Sequence, residues 1–155
     1  MFNLVKSKKL IVNSHQGFTL IELLVVISII GILATLVAAN LNSARSRARD
    51  AERKSDVKNI QTALRLYFND SGTYPPTGYF DSRWGGEWNV GSTVYMSTLP
   101  QDPLSPSQTY NYQLGADTDT YTLSACLENA SDASGKNISI SGWTCPTAWV
   151  FQVNQ

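Results

Sequence analysis

Gly17-Phe18-Thr19-Leu20-Ile21-Glu22-Leu23-Leu24-Val25-Val26-Ile27 places a single carboxylate at the head of an otherwise apolar run, just behind a lysine-bearing leader. An ionised Glu22 in hydrocarbon costs several kcal/mol, about 3 on insertion scales, so a glutamate kept there needs a partner. An amine suits it best. A carboxylate and an ammonium in low dielectric attract strongly, and each removes the other's desolvation penalty. The plainer alternative is a Glu22 that snorkels to the headgroup region at the end of a membrane helix.

Working outward, the apolar run continues to Leu41, about 24 residues interrupted only by Thr19, Glu22, Ser28, Thr35 and Asn40, long enough as a helix to cross a bilayer core. Lys6, Lys8 and Lys9 precede it without an acid, which predicts a cytoplasmic leader and an exported carboxyl-terminal part. Beyond it, Arg45 to Phe68 lacks Pro and Gly and carries Val57, Ile60, Leu64, Tyr67 and Phe68 at helical spacing. One helix is therefore expected from Phe18 to about Phe68, roughly 75 Å long if unbroken. Its first half has to find neighbours or lipid, and its second half an apolar face of the chain's own head.

Asn69-Asp70-Ser71-Gly72 is a helix stop, and Tyr74-Pro75-Pro76 enforces extension after it. Thr77 to Ser107 reads as an irregular connection with a short helix near Tyr95 to Leu99. Thr109 to Leu114 and Thr120 to Leu127 alternate in period two around a Gly115 to Asp119 turn, which predicts a hairpin. Asn137 to Ser141 and Trp149 to Val153 are further strand candidates. The expected class is α+β, a long amino-terminal helix packed on a small antiparallel sheet. Its expected parts are a leader over 1–17, the helix over 18–69 with 18–41 in the membrane, and an extracytoplasmic head over 70–155.

Net charge over the 155 residues is zero but unevenly spread: +3 in the leader, +4 from Leu41 to Asn69, −6 from Asp70 onward, with Glu22 closing the balance. A basic stalk and an acidic head suit side-by-side assembly that salt weakens, although each charge taken singly reads as part of a solvated face. The only histidine, His15, lies in the leader, so the part beyond it has no imidazole for a triad, a general base or a zinc site. The carboxylates are scattered through turns, and there is no Gly-Lys-Ser/Thr phosphate loop, so no enzymatic activity is expected. An acidic head also argues against nucleic acid as a partner. Trp84 and Trp88, in a Gly-rich stretch, are the candidates for exposed stacking on a ligand, against the ordinary alternative that such aromatics fill a small core. Asn69, Asn129 and Asn137 fit the Asn-x-Ser pattern and read as turn residues. Cys126 and Cys145 both fall in the exported part, where an oxidising compartment favours a disulfide closing a loop of about twenty residues, worth roughly 3 kcal/mol, over two free thiols.

Gly17, Phe18, Glu22 and the apolar run together resemble the class III signal of type IV prepilins and type II secretion pseudopilins. The resemblance implies a type IV pilin-like fold and cleavage by a prepilin peptidase between Gly17 and Phe18, on the cytoplasmic side, with methylation of the new Phe18 amine. An ordinary secretory signal is cut after its apolar region instead. The resemblance also implies that Glu22 pairs with the Phe18 ammonium of a neighbouring subunit in a helical filament. Expected partners are further copies, minor pilins or pseudopilins, and a membrane platform protein. Many family members have a proline where Ala39 stands, so helix loosening between Gly31 and that position is not implied for this chain. The Cys126/Cys145 loop is similar to the carboxyl-terminal disulfide loop of many pilins. Tyr74-Pro75-Pro76, Asp102-Pro103 and Tyr110-Asn111-Tyr112 look like the major pseudopilin of type II secretion and related Gram-positive or candidate-phylum pilins, and some major pseudopilins bind calcium in a carboxyl-terminal loop. Asp117 and Asp119 are the calcium candidates here, without the fuller acidic loop of those proteins. No other cofactor is implied. The leading expectation is a pilin of a type IV pilus-like filament, membrane-anchored before assembly and extracellular after it. The alternatives are a major pseudopilin of a type II secretion system and a monomeric membrane-anchored binding module.

Overall fold

The computed structural model describes residues 17 to 155. Residues 1 to 16 of the leader, with its lysines and His15, lie outside the described residues. Among the described residues a single helix, α1 (Leu20–Ser71), starts two residues later and ends a turn beyond the expected bounds, and Gly31 lies within it.

The part of the chain through Asn40 consists of the first portion of α1 and the residues leading into it. Every Leu, Ile and Val from Leu20 to Leu41 is exposed, by 43 to 83%. The helix is long and apolar enough to cross a membrane. Its polar side chains are turned onto their own backbone: Ser28 Oγ donates to the Leu24 carbonyl at 2.7 Å, Thr35 Oγ1 to Ile32 at 2.8 Å and Asn40 Nδ2 to Leu36 at 3.1 Å. Such local bonds let polar residues sit in hydrocarbon without an unsatisfied donor.

From Leu41 onward the chain packs around the second portion of α1. Val57, Ile60, Ala63 and Leu64 are buried at helical spacing, and Tyr67 and Phe68 extend the stripe. The stop sequence acts as expected: Gly72 takes φ +73°, and its N–H donates to the Phe68 carbonyl at 2.8 Å, the left-handed cap that spares a side chain strain. After it come β1 (Trp88–Val90), β2 (Thr93–Met96), β3 (Asn111–Leu114), β4 (Tyr121–Cys126), β5 (Lys136–Asn137) and β6 (Trp149–Asn154). β1 and β2 form a small hairpin of their own, and the other four make an antiparallel sheet in the order β3-β4-β6-β5. Tyr112 faces Leu123 across β3 and β4, and Leu123 faces Val153 across β4 and β6. Tyr121, Leu123 and Ala125 of the central strand meet the helix stripe in one core with Tyr74, Phe80, Trp88 and Leu99.

Two local expectations are corrected. Tyr95 to Leu99 is not helical: Thr93 to Met96 is a strand folded back on β1 through Gly91, whose φ is +60°, and the β-branched and aromatic residues there suit a pleated pairing better than a helix. The strand expected over Asn137 to Ser141 is reduced to Lys136 and Asn137, because β6 offers pairing only through Val150 and Trp149 and the chain then turns, with Gly142 at φ +77°. The predicted hairpin is present as β3 and β4.

Candidate functional site

At the start of α1, Thr19 and Glu22 hold each other. The Thr19 N–H and its hydroxyl both donate to Glu22 Oε2 at 2.8 Å, and the Glu22 N–H donates to Thr19 Oγ1 at 3.3 Å. This is a capping box, in which a Thr and the Glu three residues on satisfy each other's orphan backbone donors. The Thr-x-x-Glu spacing of Thr19-Leu20-Ile21-Glu22 carries this box in the sequence, where the isolated charge of Glu22 is the more conspicuous signal. The bonds fall on Oε2. Glu22 Oε1 has no hydrogen-bond partner among the described residues, and Phe18, 90% exposed, lines the same open recess with Gly17 and Thr19. A carboxylate so held has one oxygen oriented and available to an amine.

A second arrangement, not anticipated from sequence, lies beside the sheet. Arg53 is fully buried, and its five N–H groups are all used. Nε and Nη2 donate to the two oxygens of Asp102 at 2.7 and 3.0 Å, Nη1 to Asp50 Oδ1 and Glu128 Oε1 at 2.8 Å each, and Nη2 also to Gln108 Oε1 at 3.1 Å. Asp50, also buried, accepts the N–H groups of Glu128 and Asn129 at 2.9 Å. Arg49 grips the same Glu128 with two bonds of 2.7 and 2.6 Å. One turn on, Lys54 Nζ donates to Asp132 Oδ2 at 2.6 Å, and the Ser134 N–H and hydroxyl cap the other oxygen of that carboxylate. Burial works against the Arg53 charge, but its bonds to Asp102 and Glu128 more than reverse this and raise its pKa above the ordinary arginine value. The Arg49 bond, reinforced by Arg53, holds the Glu128 carboxyl down at about 2, and Lys54 with Ser134 holds Asp132 at about 2. Sequence offered only the charges. Pairing Arg53 with Asp102, 49 residues away, needs the fold.

The disulfide Cys126–Cys145 is formed and ties the end of β4 to the loop before β6. The tryptophans expected as exposed ligand platforms are placed otherwise. Trp88 is fully buried, with Phe80 edge-on at 4.9 Å and Tyr67 and Tyr95 at 5.6 and 5.4 Å. Trp84 is half-buried against Phe80 and Tyr110 at 5.5 and 5.6 Å. A core of this size needs large side chains, and these aromatics supply them. Asp117 and Asp119 stand on the exposed turn between β3 and β4. The Asp117 carbonyl already accepts Thr120 N–H and Oγ1 at 3.1 Å, and the Thr118 carbonyl accepts Tyr74 N–H at 2.9 Å. Calcium takes six to eight oxygens. The turn brings two carboxylates together, with the Asp117 and Thr118 carbonyls already accepting, and no group of three His, Cys, Asp or Glu suited to a metal occurs among the described residues.

Comparison with known proteins gives two matches in tandem. Residues 12–38 match the prokaryotic N-terminal methylation motif, and residues 40–143 match type II secretion system (T2SS), protein G. Among curated proteins, the chain is 44% identical over 139 residues to type II secretion system core protein G of Klebsiella michiganensis, covering 85% of this chain and 95% of that protein. It is 33% identical over 144 residues to the protein of that name from Pseudomonas aeruginosa, covering 84% and 96%. With the Dickeya chrysanthemi protein of that name, 34% identity extends over 94 residues, 61% of this chain and 56% of that one. No solved structure matches.

Proposed function

The chain belongs to the type II secretion protein G family, and from that premise we propose that it is the major pseudopilin of a type II secretion system, a structural subunit rather than an enzyme. The observation that carries this reading is the run of the methylation motif directly into a protein G match covering most of the rest of the chain. It reverses the order expected from sequence, which put the extended pilus first on the strength of the cysteine loop.

In this reading a prepilin peptidase cuts between Gly17 and Phe18 and methylates the Phe18 amine. The mature chain is a single-pass membrane protein, its exposed apolar helix in lipid and its head outside the cytoplasm. Extraction into a filament then exchanges lipid for the helices of other subunits. The Glu22 oxygen left open by the capping box receives the Phe18 ammonium of the next subunit, and each ion loses the penalty of standing alone in low dielectric. Copies of the chain, minor pseudopilins, a membrane platform protein and a separate ATPase are the partners this mechanism requires.

The test is the intact mass of the protein in membranes and in material sheared from cells. A chain beginning at methylated Phe18, about 2 Da light for its disulfide and confined to the envelope, is expected. Abundance in sheared material marks an extended pilus instead, and a chain still beginning at Met1 refutes both. Glu22→Leu should leave the chain cut and membrane-bound but abolish crosslinks between subunits; full crosslinking in that variant contradicts assembly through the Glu22 and Phe18 pairing.

A further inference from the structure

The acidic segment after β4 carries its own counter-ions. Glu128 is held by Arg49 and Arg53 at 2.6 to 2.8 Å, Asp132 by Lys54 at 2.6 Å, and Asp50 closes the backbone of Glu128 and Asn129. Asp102, from the connection before β3, takes the remaining face of the Arg53 guanidinium. Three carboxylates therefore converge from distant parts of the chain on one buried point, and a side-chain cation occupies it. The guanidinium neutralises them there through directed N–H bonds, which a bare ion does not offer.

We infer that the carboxyl-terminal region of this protein is locked by Arg53, with Arg49 and Lys54, as built-in cations, and that its fold is independent of calcium. The oxygens that a metal would need are consumed: Asp102 and Asp50 each accept from Arg53 and from backbone N–H groups, and both oxygens of Glu128 accept from arginine. In the β3–β4 turn the Asp117 and Thr118 carbonyls are engaged, and Asp117 and Asp119 add only two carboxylates. A buried guanidinium with all five donors satisfied is strongly retained, since removing one partner of such a cluster leaves uncompensated charge.

The test is the melting temperature of the full chain in detergent, in excess calcium and in excess EGTA, for the wild type and for Arg53→Ala. The wild type is expected to melt at the same temperature in both. Arg53→Ala is expected to melt about 10 °C lower or more, and by the same amount in calcium as in potassium at matched ionic strength, because Arg49 still holds Glu128 and backbone N–H groups still hold Asp50 and Asp102. Lys54→Met, at a half-exposed position that leaves the core intact, should melt a few degrees lower with no calcium response. A wild type destabilised by EGTA overturns the inference, as does an Arg53→Ala chain of unchanged melting temperature or one that calcium restores where potassium does not. If Arg53→Ala does not fold, the wild-type and Lys54→Met measurements still decide.

Discussion

Glu128 and Asp132 show how single residues translate pairing into pH dependence. Both carboxyls titrate near 2 in the folded chain, well below the ordinary range, because cations and donors hold the charged form. As pH falls below the ordinary carboxylate range, the unfolded chain takes up protons first, so stability present above about pH 5 is lost progressively toward pH 2. Asp56 runs the other way. Burial raises its pKa against the lowering effect of the Tyr110 hydroxyl 2.6 Å away, so its contribution is present below the unfolded pKa and declines as pH rises. The net expectation from denaturation at a series of pH values is a stability that drops on acidification, with a shallower drop in Glu128→Gln. A Glu128→Gln profile parallel to the wild type contradicts the assignment. At this scale the sequence was legible for Glu22, whose isolation in an apolar run is itself the signal. It was opaque for Arg53, one of several bases on the stalk, because only the fold selects which base is buried among acids. Trp88 was misread for the same reason: a Gly-rich neighbourhood suggests exposure, while burial depends on where the hairpin lands.

At the scale of elements, α1 was the most legible because its two signals, an unbroken apolar run and a helical stripe from Val57 to Phe68, persist over many turns. Its ends follow from chemistry that sequence carries locally, Asn69 to Gly72 at one end and the Thr19-to-Glu22 box at the other. The hairpin of β3 and β4 was legible from period-two alternation. β2 was not, because four residues are too short for a period to separate strand from helix. The Gly72 cap yields a direct prediction. An alanine there meets no atom within 4 Å, so its cost comes from φ +73° alone, and Gly72→Ala should lose about 1 kcal/mol of unfolding free energy. A neutral or stabilising result in denaturant titration means that the helix end relaxes to another conformation.

For the molecule as a whole, the contrast of basic stalk and acidic head was legible, but its destination was not. Sequence suggested that these charges meet between subunits, whereas Arg49, Arg53 and Lys54 meet Glu128, Asp50, Asp102 and Asp132 within one chain. Much of the charge thought available for assembly is thus spent on internal order, and Arg45 and Arg47, exposed past the apolar run, remain on the surface. The same head has an optical consequence. Trp88 is fully buried, with Tyr67, Tyr79 and Tyr95 all within 6.5 Å, while the other tryptophans are partly open to solvent. Light absorbed by those tyrosines should pass to Trp88, and a soluble quencher should leave a protected fraction of its emission. That fraction should vanish, and tyrosine emission appear, in one step as the head unfolds, and Trp88→Phe should remove the protected fraction. The head therefore carries an internal lamp whose colour and shielding report whether helix, hairpin and sheet are still closed on one another.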